Sequence, residues 1–235
     1  MFAGFLAGNF SSSVTNLGTS WNVAVGDHAL ASVTSGYSDT AIGSQALQYN
    51  TTGYRNTALG RWAMIYNTTG AHNTATGFQA LRSNTDGWGN TAHGAWALCN
   101  NGSGDANTAA GENALLLTTS GSFNTAIGFA ALRDNVVGST NIAVGYMAGS
   151  NSIRNNNIDI GNSGSSGDNG IIRVGTAGTH TAAFIAGRIN GDGGGLTNLN
   201  ASAVSGGMTT NIAVLTPGGG TNVLVFANGI LRAVR

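Results

Sequence analysis

Polar, small and large apolar residues follow one another in a fixed order that repeats every 17 residues. Residues 56–72 show one cycle: polar Asn56 and Thr57, small Ala58, large Leu59, then Gly60. A second phrase follows, with Ala63 and the large apolar Met64, and then the polar corner Asn67-Thr68-Thr69-Gly70. The alternation over 56–59 predicts a short strand. Gly60 permits a positive φ or a tight corner, and Asn67–Gly70 predicts a second corner. The Leu/Met position carries the largest recurrent apolar side chain (Leu47, Met64, Leu81) and is assigned to the core.

The phrase ends on glycine at 26, 43, 60, 77, 94, 111, 128 and 145, always 17 residues apart. The corner glycine keeps the same period at 36, 53, 70, 87, 104, 121 and 138. A fixed short period predicts one supersecondary unit stacked on itself. The expected fold is all-β, an elongated parallel β-solenoid or β-roll with strands of successive rungs ~4.8 Å apart. Glycines from Gly4 to Gly161 then mark out roughly 45 Å of shaft. The interval before Gly26 is 22 residues and that before Gly161 is 16, as in atypical end repeats.

The third phrase position is always alanine, from Ala24 to Ala143, which predicts a close approach of backbone. The fourth varies (Val25, Ile42, Leu59, Thr76, His93, Ala110, Ile127, Val144) and alternation sets it on the opposite face. One Leu and one Ala per turn offset little of the ~1–2 kcal/mol per residue of backbone entropy. A lone roll is therefore expected to be marginal and to bury its second apolar face against further copies.

Composition agrees with an extended hydrogen-bonded chain. Glycine accounts for 38 of 235 residues, proline for one, and only 8% of residues are charged. All nine cations are Arg, the nine acids are eight Asp and Glu112, and the formal net charge is zero. No basic patch invites nucleic acid, and no apolar run reaches the ~20 residues of a membrane helix. Cys99 stands alone, so neither a disulfide framework nor a thiolate metal cluster is expected.

The phrase Asn-Thr-Ala-x-Gly-x-x-Ala-Leu, continued by Asn-Thr-Thr-Gly as in residues 39–53 and 56–70, resembles repeats of phage tail fibres and large bacterial surface proteins. Val23-Ala-Val-Gly26 and Ile142-Ala-Val-Gly145 are similar to the shorter head repeat of trimeric autotransporter adhesins. The resemblance covers about residues 1–161. It implies an intertwined or side-by-side homotrimer with the fourth position facing a neighbour or the axis. It also implies a structural fibre or spike of a phage or phage-like particle that supports host-surface attachment to glycans, with a host-surface polysaccharide or protein as receptor. Its partners would be other copies of itself and tail or baseplate proteins, and its location the virion tail or the extracellular space. A bacterial trimeric adhesin head on the cell surface and a polysaccharide-degrading tailspike are the alternatives.

Three regions are expected: a repeat shaft over 1–161, a boundary loop over 162–170, and a small trimeric β cap or knob over 171–235. Within the last, 171–175, 182–186, 211–215, 222–226 and 230–234 read as strands, and 190–201 resembles a connector of phage tail proteins.

Catalytic chemistry is hard to find. The acids fall one per rung or fewer, without the pairing of general acid–base work. No nucleophile-elbow phrase occurs, and no enzyme activity, cofactor or metal is expected. His93 is the one candidate metal or anion ligand, if three imidazoles meet on a threefold axis. Aromatic columns are the candidate glycan contacts. Trp62 and Trp96 share one column, while Tyr37, Tyr54 and Trp88 share another just after the corner glycine. The alternative for these rings is packing between neighbouring rolls. The Thr40–Thr125 column fits a strand ladder as well as a flat binding face.

Overall fold

The computed structural model describes residues 21–180, together with the backbone of four strands outside that span. Strands run β1 (Phe2–Ala3), β2 (Val23–Val25), β3 (Thr40–Ile42), β4 (Thr57–Leu59), β5 (Thr74–Thr76), β6 (Thr91–His93) and β7 (Thr108–Ala110). They continue as β8 (Thr125–Ile127), β9 (Ile142–Val144), β10 (Ile158–Ile160) and β11 (Ile172–Val174). These eleven form one parallel sheet in sequence order. From β2 to β9 each strand pairs with the next at an offset of 17, as in Ala58↔Ala75 and Ala75↔Ala92. The chain is thus a β-solenoid with one three-residue strand per rung. The offset shortens to 16 at Ile142↔Ile158 and to 14 at Ile158↔Ile172.

Contacts divide the chain into units 1–182 and 183–235. The strand expected over 171–175 is present as β11, but it pairs with β10 and so extends the solenoid sheet beyond the shaft limit expected at 161. The C-terminal unit contains β12 (Asn211–Leu215), β13 (Thr221–Ala227) and β14 (Ile230–Val234), an antiparallel meander. The strand expected at 182–186 and the connector at 190–201 lie outside the described residues.

From β2 to β10 the middle residue of each strand points inward. Ala41, Ala58, Ala75, Ala92, Ala109 and Ala126 are fully buried, and so are Ala46, Ala63 and Ala80 and the Leu47, Met64 and Leu81 column beside them. The core of a rung is therefore two alanines and one large side chain, slightly more than the sequence reading allowed. The glycines closing each phrase have φ between 123° and 143°, and a Cβ at Gly60 would stand 2.5 Å from the Gly77 carbonyl oxygen. The corner glycines serve a different need. A Cβ at Gly53 would meet Asn50 Oδ1 at 2.3 Å and Gly70 O at 2.4 Å.

Two asparagine columns run inside the roll, fully buried, and they are its principal surprise. In the first, Asn73 donates its backbone N–H to Asn56 Oδ1 (3.1 Å) and its Nδ2 to Gly87 O (2.8 Å). The next rungs repeat this through Asn90, Asn107, Asn124 and Asn141. In the second, Asn67 Nδ2 donates to Asn50 Oδ1 (2.8 Å) and to Gly70 O (3.0 Å), and Asn84 donates to Asn67. Each side chain satisfies a backbone group that the corner would otherwise bury unpaired, a loss of about 1–3 kcal/mol. Thr118 replaces one member of the second column. It has no amide to offer, and Asn101 Oδ1 below it has no partner.

These ladders hold a strained path. After each phrase glycine, alternate residues have positive φ, such as Gln45 (61°) and Leu47 (50°), and a third such residue precedes the next phrase, such as Arg55 (55°). Left-handed backbone costs a side-chain-bearing residue about 1–2 kcal/mol. It persists where the surroundings over-determine it. Here Leu47 N–H is fixed on Ala63 O at 3.1 Å and Gln45 N–H on Asp27 O at 2.7 Å, in the rungs on either side.

Candidate functional site

The inward alanines turn the first and third residues of every strand outward, so the sheet presents two parallel columns on one exposed face. The first is mainly threonine, from Thr40 to Thr125. The second is the variable fourth position, where Ile42, Leu59, Ile127 and Val144 stay 37–45% exposed. Across β2–β9 neither column holds a charged residue, apart from the titratable His93. His93 lies exposed in register between Thr76 and Ala110. Among the described residues no group of three or more His, Cys, Asp or Glu side chains could hold a metal ion.

The candidate aromatic residues lie on other faces of the rung. Tyr37 and Tyr54 stack face to face, 4.9 Å apart and 8° from parallel. The Arg55 guanidinium lies 6.0 and 5.9 Å from their centroids, and His72 meets Tyr54 edge-on at 5.2 Å. This stack turns ring edges outward, because its inner faces cover one another. Trp62 and Trp96, two rungs apart, are joined by Phe78, which meets Trp62 at 5.7 Å and Trp96 edge-on at 5.4 Å. Trp62 Nε1 donates to Gln45 Oε1, and Arg61 stands 4.0 Å over the Trp62 ring. Trp88, 54% exposed, follows Ala71 and precedes Asp105 in its column, so it does not join the Tyr37–Tyr54 stack. Its backbone N–H donates to Asp105 Oδ1 at 2.9 Å.

The structure adds a pair that the sequence reading passed over. Tyr49 and Tyr66 stack at 5.7 Å and 2°, both more than 40% exposed. With Thr68, Ser83 and Thr85 they line an open depression of about 570 Å³. The Arg82 guanidinium lies 5.2 Å from the Tyr66 centroid. The signal was available, since Tyr49 and Tyr66 are one period apart, but neither lies beside a glycine of the repeat.

Charge is segregated along the shaft despite the zero net sum. Residues 40–85 contain Arg55, Arg61 and Arg82 and no acid, whereas residues 86–132 contain Asp86, Asp105 and Glu112 and no cation. All three arginines of the first segment lie over aromatic rings. Inside the roll, burial pushes Asp39 up to about 7 against the hydrogen bonds from Asn56 and Asn50. Burial likewise raises the Asp159 carboxyl, which takes an inward alanine position in β10 and accepts a hydrogen bond from Ser152 at 2.7 Å. Burial also raises the Cys99 thiol, which disfavours the reactive thiolate.

The architecture defines the class: a parallel β-solenoid repeat protein. Comparison with protein-family models, curated proteins and solved structures finds no match. Among the described residues no helix is long and apolar enough to cross a membrane.

Proposed function

We propose that the solenoid is the shaft of a homotrimeric fibre, a structural attachment protein of a phage or phage-like particle. Its C-terminal strands trimerise as a separate small cap. The observation that carries this reading is the two-column strand face, regular over eight rungs and free of Arg, Asp and Glu. Exposed apolar side chains set in a regular, uncharged threonine-rich face support its reading as an interaction surface. A second copy of the same regular face is its natural complement, since rung matches rung. The aromatic columns lie off that face and remain available for a host-surface glycan. The role asked of the chain is binding and reach rather than turnover, so it is read as non-enzymatic, and its other partners are tail or baseplate proteins.

Native mass spectrometry tests the assembly. The expected species has three times the 23.5 kDa of one chain. The double substitution Leu59→Arg/Ile127→Arg, which puts two charges on that face, is expected to abolish the threefold mass and leave single chains whose rungs melt at a lower temperature by circular dichroism. A wild-type protein that runs only as a single chain contradicts the reading.

A further inference from the structure

We propose that a second copy of this chain docks, running antiparallel, on the face that carries Arg61, Phe78, Ala95 and Glu112. This contact goes beyond the trimer reading and uses a different face of the rung. It assigns Trp62 and Trp96 to packing between copies and leaves the tyrosine stacks available to a glycan.

Two columns follow the phrase glycines. On four successive rungs the first reads Arg61, Phe78, Ala95 and Glu112, and the second Trp62, Gln79, Trp96 and Asn113. Backbone hydrogen bonds fix their levels. Gln79 N–H donates to Arg61 O (3.1 Å), Trp96 N–H to Phe78 O (2.9 Å) and Asn113 N–H to Ala95 O (3.0 Å). All of these residues are half-buried or exposed, and Arg61 and Glu112 are the exposed ends. They stand three rungs apart, ~14 Å at one strand spacing per rung. Phe78 and Ala95 separate them, and neither has an ion pair among the described residues.

A two-fold axis across the shaft, midway between Phe78 and Ala95, reverses the order of the rungs. It brings Arg61 of each copy level with Glu112 of the other. It also sets Phe78 opposite Ala95, Trp62 opposite Asn113 and Trp96 opposite Gln79. Each charge then meets its opposite and each ring meets a smaller side chain, the self-complementarity that a two-fold interface requires. A parallel pairing would put Arg61 level with Arg61 and Glu112 level with Glu112. Opposite charges in register select the orientation. The groups are also held in place before contact. The Arg61 guanidinium lies 4.0 Å from the Trp62 ring centre, and Phe78 is braced by Trp62 at 5.7 Å and Trp96 at 5.4 Å. Two columns over four rungs make a small patch, in the range of weak, reversible interfaces below ~1,200 Å².

The test is sedimentation velocity of the intact chain over a concentration series, at low ionic strength and in ~1 M salt, where the screening length is ~3 Å. High salt reads the basal particle: three chains under the attachment reading, one if that reading fails. Pairing is judged against whichever is found, so the two fail separately. Reversible growth beyond the basal particle at low salt, abolished by high salt, is the expected result. Arg61→Glu and Glu112→Arg should each weaken it about tenfold or more, and the double reversal Arg61→Glu/Glu112→Arg should restore it. That recovery separates a lost contact from a lost fold. Ala95→Trp, which fills the notch opposite Phe78 and keeps both charges, should weaken it too. No growth at low salt overturns the contact. Growth that both single reversals leave intact overturns the face. Loss in both singles without recovery in the double overturns the antiparallel register. Binding to a glycan array that Trp62→Ala abolishes, without self-association, makes a sugar the occupant and overturns the second copy.

Discussion

Gly60→Ala is expected to destabilise the solenoid by about 4 kcal/mol or more, enough to unfold several rungs at room temperature. Two costs coincide. Gly60 has φ of 140°, a region essentially closed to residues with a Cβ. The added Cβ would also stand 2.5 Å from Gly77 O and 2.8 Å from Gly77 C. Both atoms are backbone, and the rung they belong to is pinned above by Gly94 in the same way, so no flexible side chain can yield. Gly102→Ala is the matched control. Its Cβ would meet only Thr119 O, at 3.4 Å, and a shift below about 1 kcal/mol is expected. Urea denaturation followed by circular dichroism measures both. Similar midpoints for the two variants would show that rungs do not stack glycine on glycine.

Asp39→Asn is expected to stabilise the protein at neutral pH and to flatten its pH dependence. Asp39 occupies a column that is otherwise asparagine, where Asn22 and Asn56 donate Nδ2 to the carbonyls of Gly36 (3.0 Å) and Gly70 (2.9 Å). A carboxylate has no such proton, and this one is fully buried. Its Oδ1 accepts from the Asn56 backbone N–H (2.8 Å) and its Oδ2 from Asn50 Nδ2 (3.0 Å), but burial outweighs them and raises the acid to about 7. The folded state therefore binds the proton more tightly than the unfolded chain. Stability is full below the unfolded value near 4, falls as pH rises toward 7, and is level above that. At ~1.4 kcal/mol per pKa unit, the wild-type protein should trail Asp39→Asn by on the order of 4 kcal/mol at pH 8 and match it at pH 4. Denaturation of both proteins across this range checks the sign, and other acids cancel in the difference. Parallel curves would mean that Asp39 titrates as an ordinary surface acid.

The strand, the phrase glycine, the inward alanine and the Leu/Met column were all legible in the sequence, because each obeys the period and a strand alternates its faces. The asparagines were not. Asn67 in Asn67-Thr-Thr-Gly70 reads as turn chemistry, and it becomes an interior residue only when the rung closes and the carbonyl of Gly70 needs a donor. The left-handed backbone at Leu47 was equally hidden, since a leucine carries no local signal for positive φ and inter-rung hydrogen bonds impose it. Aromatic columns were visible as spacing, but spacing does not tell a covered ring face from a free one. Tyr37 and Tyr54 cover each other, and Tyr66 is stacked on Tyr49 with the Arg82 guanidinium 5.2 Å from its centroid.

Stacking itself is tested most directly by distances along one column. Spin labels at Ser44 and Glu112, Ser44 and Phe129, and Ser44 and Tyr146 span four, five and six rungs of the same register. With Cys99→Ser as background and labelled chains diluted in unlabelled ones, double electron–electron resonance reads each pair. The solenoid predicts separations of about 19, 24 and 29 Å, rising by one strand spacing per 17 residues. Distances that do not rise in equal steps would contradict it.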